Sequence, residues 1–396
     1  MVEKEGDMPH YTYLIVGGGM TADAAIHGIR EVDSKGAVGL IGSEHHYPYN
    51  RPPLTKGLWS GKKSLEQIWR GTDKLDVDMH LGRRAQTLDA NNKRVTDDQG
   101  NVYTYDRLLL ATGGTPRHLP FEGEDIIYYR TVDDYQRLRA LTERGQRFAV
   151  IGGGFIGSEI AASLAGIGKE VIMVFLEKTI SERIFPPDLA QYVTDYYRQR
   201  GVEVVTQQSV SEVKRRGDQL VLTTNDQREF VVDGVVAGIG IRPNIELAEA
   251  AGLKIDNGVA VDEFLRTSQP DIFAAGDVAS FYNPDLEMRM RVEHEDNANT
   301  MGKAAGRAMA GDRTPYHHLP FFYSDLFDLG YEAVGELDSR LETVADWTEP
   351  HRKGVIYYMR DGRATGVLLW NVWDQVENAR QLIRERVTEV KGRLPA

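Results

Sequence analysis

The chain has 396 residues, 41% of them hydrophobic and 27% charged, enough for two or three domains with separate cores. With 47 basic against 59 acidic residues its net charge is −12, which argues against nucleic acid as a partner, because phosphate binding needs a basic footprint. There is no cysteine, so disulfide catalysis, thiolate ligation and cysteine-bound iron–sulfur clusters are excluded within the chain.

Residues 1–10 are charged and lack an apolar leader core, and no apolar run approaches the ~18 residues of a membrane span. A cytoplasmic protein with no membrane span is expected. Tyr13-Leu14-Ile15-Val16 is an apolar run that leads into Gly17-Gly18-Gly19-Met20-Thr21-Ala22 and then a helix-like stretch. In this order Gly17 makes the tight turn after a strand and Gly19 lets backbone approach phosphate. Ala22 packs helix on strand, so the helix N-terminus can hold a pyrophosphate. A second strand at 37–41 is followed by Glu44, a carboxylate placed to accept hydrogen bonds from a ribose. Residues 46–63 form a polar loop in which Arg51 precedes Pro52-Pro53 and Lys56 follows. Paired prolines stiffen it and suit the wall of a binding site. Residues 84–110 read as a strand meander turning at 98–101, and 108–110 as a short buried strand ending in Ala111-Thr112-Gly113-Gly114.

From 129 to 259 the plan repeats. Phe148-Ala149-Val150-Ile151 leads into Gly152-Gly153-Gly154-Phe155-Ile156-Gly157, where Gly152, Gly154 and Gly157 take the three fingerprint roles. A helix is expected over 155–167, a strand over 171–175, a helix over 188–200 and a strand over 202–205. The usual acidic position after the second strand is apolar here, and Glu177 comes two residues after Phe175. A carboxylate there repels a 2′-phosphate and selects NADH over NADPH, a choice that Lys178 and Arg183 could soften. Residues 208–232 read as one hairpin turning near Asn225-Asp226. Residues 235–240 read as a buried strand ending in a glycine turn at Gly240, matching 108–114 in kind. The chain thus carries a degenerate internal duplication of a Rossmann-like unit with an inserted meander. Two fingerprints suggest two dinucleotides, and the simplest chemistry for that pair is hydride transfer from a nicotinamide to a flavin. Further on come Asp271 to Asp277 and a helix of small residues over 297–310. Aromatic strands follow at 321–323, 355–359 and 367–370, with a hairpin turn at Asp361-Gly362. An amphipathic helix over 375–393 closes the chain.

Taken together these motifs resemble the two-dinucleotide flavoprotein reductases, and most closely the apoptosis-inducing-factor-like members of the ferredoxin-reductase-like family. The resemblance rests on 48–59, on Ala111-Thr112-Gly113-Gly114-Thr115-Pro116-Arg117, on 152–159 and 170–178, and on Ala275-Gly276-Asp277. It continues through Val292-Glu293-His294, Tyr323-Ser324-Asp325-Leu326 and 330–335, and so spans nearly the whole chain. It implies an α/β fold with two Rossmann-like FAD/NAD(P)-binding domains and a C-terminal α+β interface domain. The FAD-binding domain would be 9–128 with 260–313, the NAD-binding domain 129–259 and the interface domain 314–396. In that pattern Asp277 bonds the flavin ribityl chain, and Lys56 sits beneath the isoalloxazine and pairs with Glu159. Phe155 lies where nicotinamide docks, and His294 and Tyr323 lie near the flavin and nicotinamide faces. Arg51, Thr112, Gly113, Arg117 and Gly240 join the fingerprints, Glu44, Glu177 and Lys178 as cofactor-binding residues. A lysine near the flavin can stabilise negative charge on the reduced ring, and a glutamate partner keeps a buried lysine protonated. Tyr323 stands where the apoptosis-inducing factors look to have tryptophan. The long regulatory insertion and mitochondrial presequence of those proteins have no counterpart here, so a role in cell death does not carry over.

The expected function is an NADH-dependent FAD oxidoreductase passing electrons to a ferredoxin-like protein or a quinone. The alternative is an NADH-responsive redox-sensing protein with slow turnover. The oligomer, a homodimer among the options, stays open. The doublets His45-His46 and His317-His318 lack ligand spacing, so no metal is expected.

Overall fold

Val16 and its neighbours Leu14 and Ile15 are buried, as the central strand of a parallel sheet covered on both faces requires. The computed structural model describes residues 8–121 and 125–395. Most of the charged stretch at 1–10 therefore lies outside the described residues, as do 122–124 and 396. Two units divide the chain. The first comprises Met1–Asn50, Glu66–Thr115 and Pro243–Pro320.

In this first unit the parallel strands run in the order Asp78–Leu81, Val38–Gly42, His10–Val16, Val102–Leu110 and Ile272–Ala274. Arg94–Asp97 and Ala85–Asp89 add an antiparallel meander to the first half of Val102–Leu110. Residues 102–105 and 108–110 are therefore one strand and not two. Its first half alternates because the meander flanks it, and its second half, Leu108-Leu109-Leu110, is buried throughout beside Ile272–Ala274. Helices Met20–Val32 and Glu295–Met309 lie backbone to backbone, because a Cβ on Gly306 would fall 2.0 Å from the Ala25 carbonyl oxygen.

The second unit comprises Arg51–Leu65, Pro116–Arg242 and Phe321–Ala396. Its parallel sheet has the order Val202–Val205, Glu170–Val174, Arg147–Ile151, Gly234–Ala237 and Ile126–Tyr128. As in the first unit, the fingerprint strand sits between the strand that follows it and the strand that comes after the meander. The stretch read as one hairpin over 208–232 is a three-stranded sheet: Val210–Arg216, Gln219–Thr224 and Glu229–Val232. The missed turn is at Gly217, whose φ of +63° suits glycine.

The C-terminal part is a five-stranded antiparallel sheet, ordered Phe321–Leu326, Leu329–Gly335, Arg363–Trp370, Lys353–Arg360 and Glu342–Glu349. Asp361 and Gly362 turn the hairpin with φ of +51° and +74°, the two positive values a type I′ turn needs. The closing helix is shorter than its amphipathic pattern, Val376–Arg384. Arg386 takes φ +55°, and the Val387 carbonyl accepts from the Ala364 amide at 2.9 Å, so the tail leaves the helix to pair with the sheet. The fold is α/β with two Rossmann-like halves and a C-terminal α+β part.

Candidate active site

At the C-terminal end of the first sheet, Gly17 turns with φ +129°, and a Cβ there would lie 2.0 Å from the Ala111 carbonyl oxygen. Only glycine fits that closeness. Its amide donates to the Ile41 carbonyl at 2.8 Å. Helix Met20–Val32 begins at Gly19 with no side chain capping its amides, and a Cβ on Gly19 would meet nothing within 4 Å. Open space before uncapped N–H groups is a cradle for an anion. Ala22 is fully buried, as the packing role demands. Gly276 approaches the same helix turn, where its Cβ would lie 2.3 Å from Thr21 Oγ1. This places Asp277 in a short 3-10 turn beside the fingerprint, and Arg291 Nη1 donates to the Asp277 carbonyl at 3.0 Å. His294 is the N-cap residue of helix Glu295–Met309, in extended conformation with its side chain not used as the cap. Glu44 is half-buried and accepts from Tyr49 Oη at 2.6 Å. The Thr112 hydroxyl is engaged within the protein, donating to the Asn244 carbonyl at 2.8 Å. Asn244 Nδ2 in turn donates to the Thr112 carbonyl, and the Asn244 amide to the Gly113 carbonyl.

The second fingerprint has the same construction. Gly152 has φ +112°, and its Cβ would lie 2.3 Å from the Gly238 carbonyl oxygen. Gly157 is tighter still, at 2.0 Å from the Gly152 carbonyl oxygen, so the helix is drawn against the turn. Helix Phe155–Gly166 also starts without a side-chain cap, and a Cβ on Gly154 would meet nothing within 4 Å. Ile156 is exposed, and the half-buried Phe155 ring meets Phe322 edge to face at 5.3 Å. Glu177 accepts from Arg183 Nη2 at 3.1 Å, and the exposed Lys178 gives its backbone amide to Glu182. Arg117 is in this unit with Gly240: its amide donates to the Gly240 carbonyl at 2.9 Å, and its Nε to that of Ile241 at 3.3 Å. Thr112 and Gly113, from the same sequence motif, belong to the first unit.

The second unit also brings Lys56 and Glu159 together. Glu159 lies in the second turn of helix Phe155–Gly166 and is only 4% exposed. Its Oε1 accepts from Lys56 Nζ. The proline loop is held for this contact by the 3-10 turn Pro52–Thr55 and by Ser163 Oγ, which donates to the Thr55 carbonyl at 2.7 Å. Trp59 and Tyr129 both donate to the Leu54 carbonyl, and Arg51 Nη1 donates to that of Arg130 at 2.9 Å. Lys56 Nζ stands 5.1 Å from the Tyr323 ring centroid, a cation–π distance. Burial first, and the Glu159 charge second, push the Tyr197 and Tyr331 phenols well above their ordinary value.

Sequence reasoning missed three groups. Thr55 and Ser324 also donate to Glu159, at 2.6 Å each. Asn244 stitches the Thr112-Gly113 loop. Asp23, 1% exposed in the first turn of the first fingerprint helix, accepts from Arg70 Nε at 2.6 Å and Thr72 Oγ1 at 2.5 Å. Asp23 carried the one available signal: a carboxylate within the otherwise apolar Ala22-Asp23-Ala24-Ala25-Ile26.

Comparison with known proteins agrees with this geometry. Residues 11–302 match the family described as pyridine nucleotide-disulphide oxidoreductase. Residues 305–352 and 346–385 match the C-terminal family of mitochondrion-associated apoptosis-inducing factor. The ferredoxin reductase subunit of 5,5'-dehydrodivanillate O-demethylase from Sphingobium sp. is 32% identical, over 97% of this chain and 94% of its own. Apoptosis-inducing factor 1, mitochondrial, of Dictyostelium discoideum is 34% identical over 98% of this chain and 81% of its own. A chain in the crystal structure of the covalent putidaredoxin reductase–putidaredoxin complex matches with a TM-score of 0.89 and 28% identity, covering 96% of this chain and 94% of that one.

Proposed function

The chain belongs to the pyridine nucleotide-disulphide oxidoreductase family and is an oxidoreductase using FAD and NADH, and from that premise we propose that it delivers electrons from NADH to a ferredoxin-like protein. One observation carries this reading: two glycine cradles, each before an uncapped helix N-terminus, in a chain with no cysteine. Without a thiol pair there is no disulfide relay, so electrons leave from the flavin to an outside acceptor. Relatives named as ferredoxin reductase components, matched over almost their whole length, favour a ferredoxin as that acceptor.

The residues fit both dinucleotides. Gly17 and Gly19 leave room for one pyrophosphate, with Glu44 for its ribose and Asp277 for its ribityl chain. Gly152, Gly154 and Gly157 leave room for the other, with Glu177 for its ribose. When bound, the flavin supplies a two-electron store that takes hydride from a nicotinamide and gives electrons up singly. The rest of the work falls to the protein. Phe155 and Tyr323 serve the nicotinamide side, and His294 serves the flavin. The Lys56 ammonium, kept charged by Glu159, offsets the negative charge that reduction creates. In this account 9–128 with 260–313 hold FAD, 129–259 hold NADH and 314–396 form the interface domain. A cytoplasmic location belongs to the same proposal. Among the described residues, no helix is long and apolar enough to cross a membrane.

The test is steady-state NADH oxidation with a ferredoxin, a soluble quinone or a dye as acceptor. Ferredoxin reduction that falls as salt rises above about 0.1 M, where screening acts over about 10 Å, supports the proposal. Salt-insensitive turnover only with quinones or dyes overturns the ferredoxin assignment. A long-lived reduced flavin with no turnover, and a change in oligomer size on NADH addition, would favour redox sensing instead.

A further inference from the structure

Glu159 is bonded to more than a lysine. Its carboxylate receives three side-chain donors from two separate segments while staying almost sealed from water. Thr55 and Lys56 come from the proline loop, and Ser324 comes from the strand Phe321–Leu326. Oε1 takes Lys56 and Ser324, and Oε2 takes Thr55. The charged and titratable groups facing it are Lys56, Tyr197 and Tyr331, and the Lys56 ammonium also faces the Tyr323 ring. The only cation among these is Lys56.

A buried carboxylate and ammonium can also exist as a neutral pair, with the proton moved from lysine to glutamate, because burial penalises both charges. Two hydroxyls that donate to the carboxylate act against this, since hydrogen bonds to the charged form stabilise it. They also restrain the carboxylate in position, and with it the ammonium. We propose that Thr55 and Ser324 are positioning residues that hold Glu159 as a fixed anion and so keep Lys56 charged and in place for hydride transfer. This rests on the placement of Lys56 at the flavin in the proposed function.

The sign of the pH effect follows. A hydroxyl that donates to the carboxylate stabilises its charged form alone, and removing it withdraws that stabilisation. The acid limb of the activity profile therefore moves up. Both hydroxyls donate to the carboxylate and not to the ammonium, so the alkaline limb stays in place.

The experiment is rapid mixing of the FAD-loaded protein with NADH, following flavin reduction from about pH 3.5 to about pH 11, a span that brackets ordinary carboxylate and lysine titrations. In Thr55→Val and in Ser324→Ala the acid limb should shift up by about one pH unit, and in the double variant by more. Thr55→Ser, which keeps the hydroxyl, should restore the wild-type limb. A uniformly lower rate with an unmoved acid limb would overturn the proposal, because loose packing slows the reaction at every pH. Thr55→Val alone suffices if Ser324→Ala does not fold. Lys56→Met separates the two levels. If it reduces as the wild type does at all pH values, the placement of Lys56 fails and takes this inference with it. If it is slow while the hydroxyl variants keep the wild-type acid limb, only the role of Thr55 and Ser324 fails.

Discussion

Asp23→Ala should destabilise the first unit more than any change at its surface. The carboxylate is 1% exposed and bonds Arg70 Nε at 2.6 Å and Thr72 Oγ1 at 2.5 Å. Removing it leaves two donors without an acceptor, at about 1–3 kcal/mol each. Breaking a buried ion pair from one side costs about 3–5 kcal/mol. Arg70 softens this, because its side chain is 17% exposed and its Nη1 keeps Asn50 Oδ1 at 2.7 Å. The balance comes to about 3 kcal/mol, at the low end of the one-sided cost. For a cooperative block of this size that is a fall in Tm of about 6–12 °C. Thr72→Val removes one neutral donor and should cost about 1 kcal/mol. Thermal unfolding followed by circular dichroism, at one fixed FAD concentration, measures both, since bound ligand moves Tm by itself. A fall below about 2 °C for Asp23→Ala, which corresponds to under 1 kcal/mol, would refute the reasoning and show that water reaches Arg70 freely once the carboxylate is gone.

Three other perturbations address the site. Lys56→Ala and Glu159→Ala should each slow flavin reduction, with the double variant less than additive by about 0.5–3 kcal/mol in a double-mutant cycle; additive effects would mean the two are unpaired in solution. NADH should reduce the flavin at least about tenfold more efficiently than NADPH, a gap of about 1.4 kcal/mol that Glu177→Ala should shrink. A wild-type preference for NADPH would instead give the ribose to Arg183, which already bonds Glu177 at 3.1 Å, or to Lys178. Gly157→Ala drives a Cβ to 2.0 Å from the Gly152 carbonyl oxygen, so NADH should no longer reduce the flavin although FAD is retained; a wild-type KM for NADH would contradict this.

The glycine fingerprints were legible because their requirement is local: positive φ and close backbone approach leave glycine no substitute at Gly17 or Gly152. The Asp361-Gly362 turn was legible for the same reason. Elements whose limits depend on distant partners were not. Residues 102–110 read as two strands because the neighbour changes halfway along. The last helix read too long because its apolar spacing continues at Val387, which serves the sheet instead. Gly217 carried a usable turn signal that the longer alternation around it hid. Among the site residues, the Lys56–Glu159 contact was expected from the family pattern alone, since the two lie far apart in sequence. Thr55 and Ser324 escaped because a hydroxyl has no distinctive spacing, and Asn244 because its loop acquires a partner only in the folded unit.

The central claim is that this chain passes a hydride from one bound dinucleotide to another. Anaerobic mixing of the purified protein with NADH, paired with chromatography of the heat-released cofactor, tests it most directly. The account predicts a single FAD per chain whose long-wavelength absorption is bleached by NADH without any added acceptor. Release of FMN, failure to retain flavin after refolding with FAD, or a bound FAD that dithionite bleaches and NADH does not would contradict it.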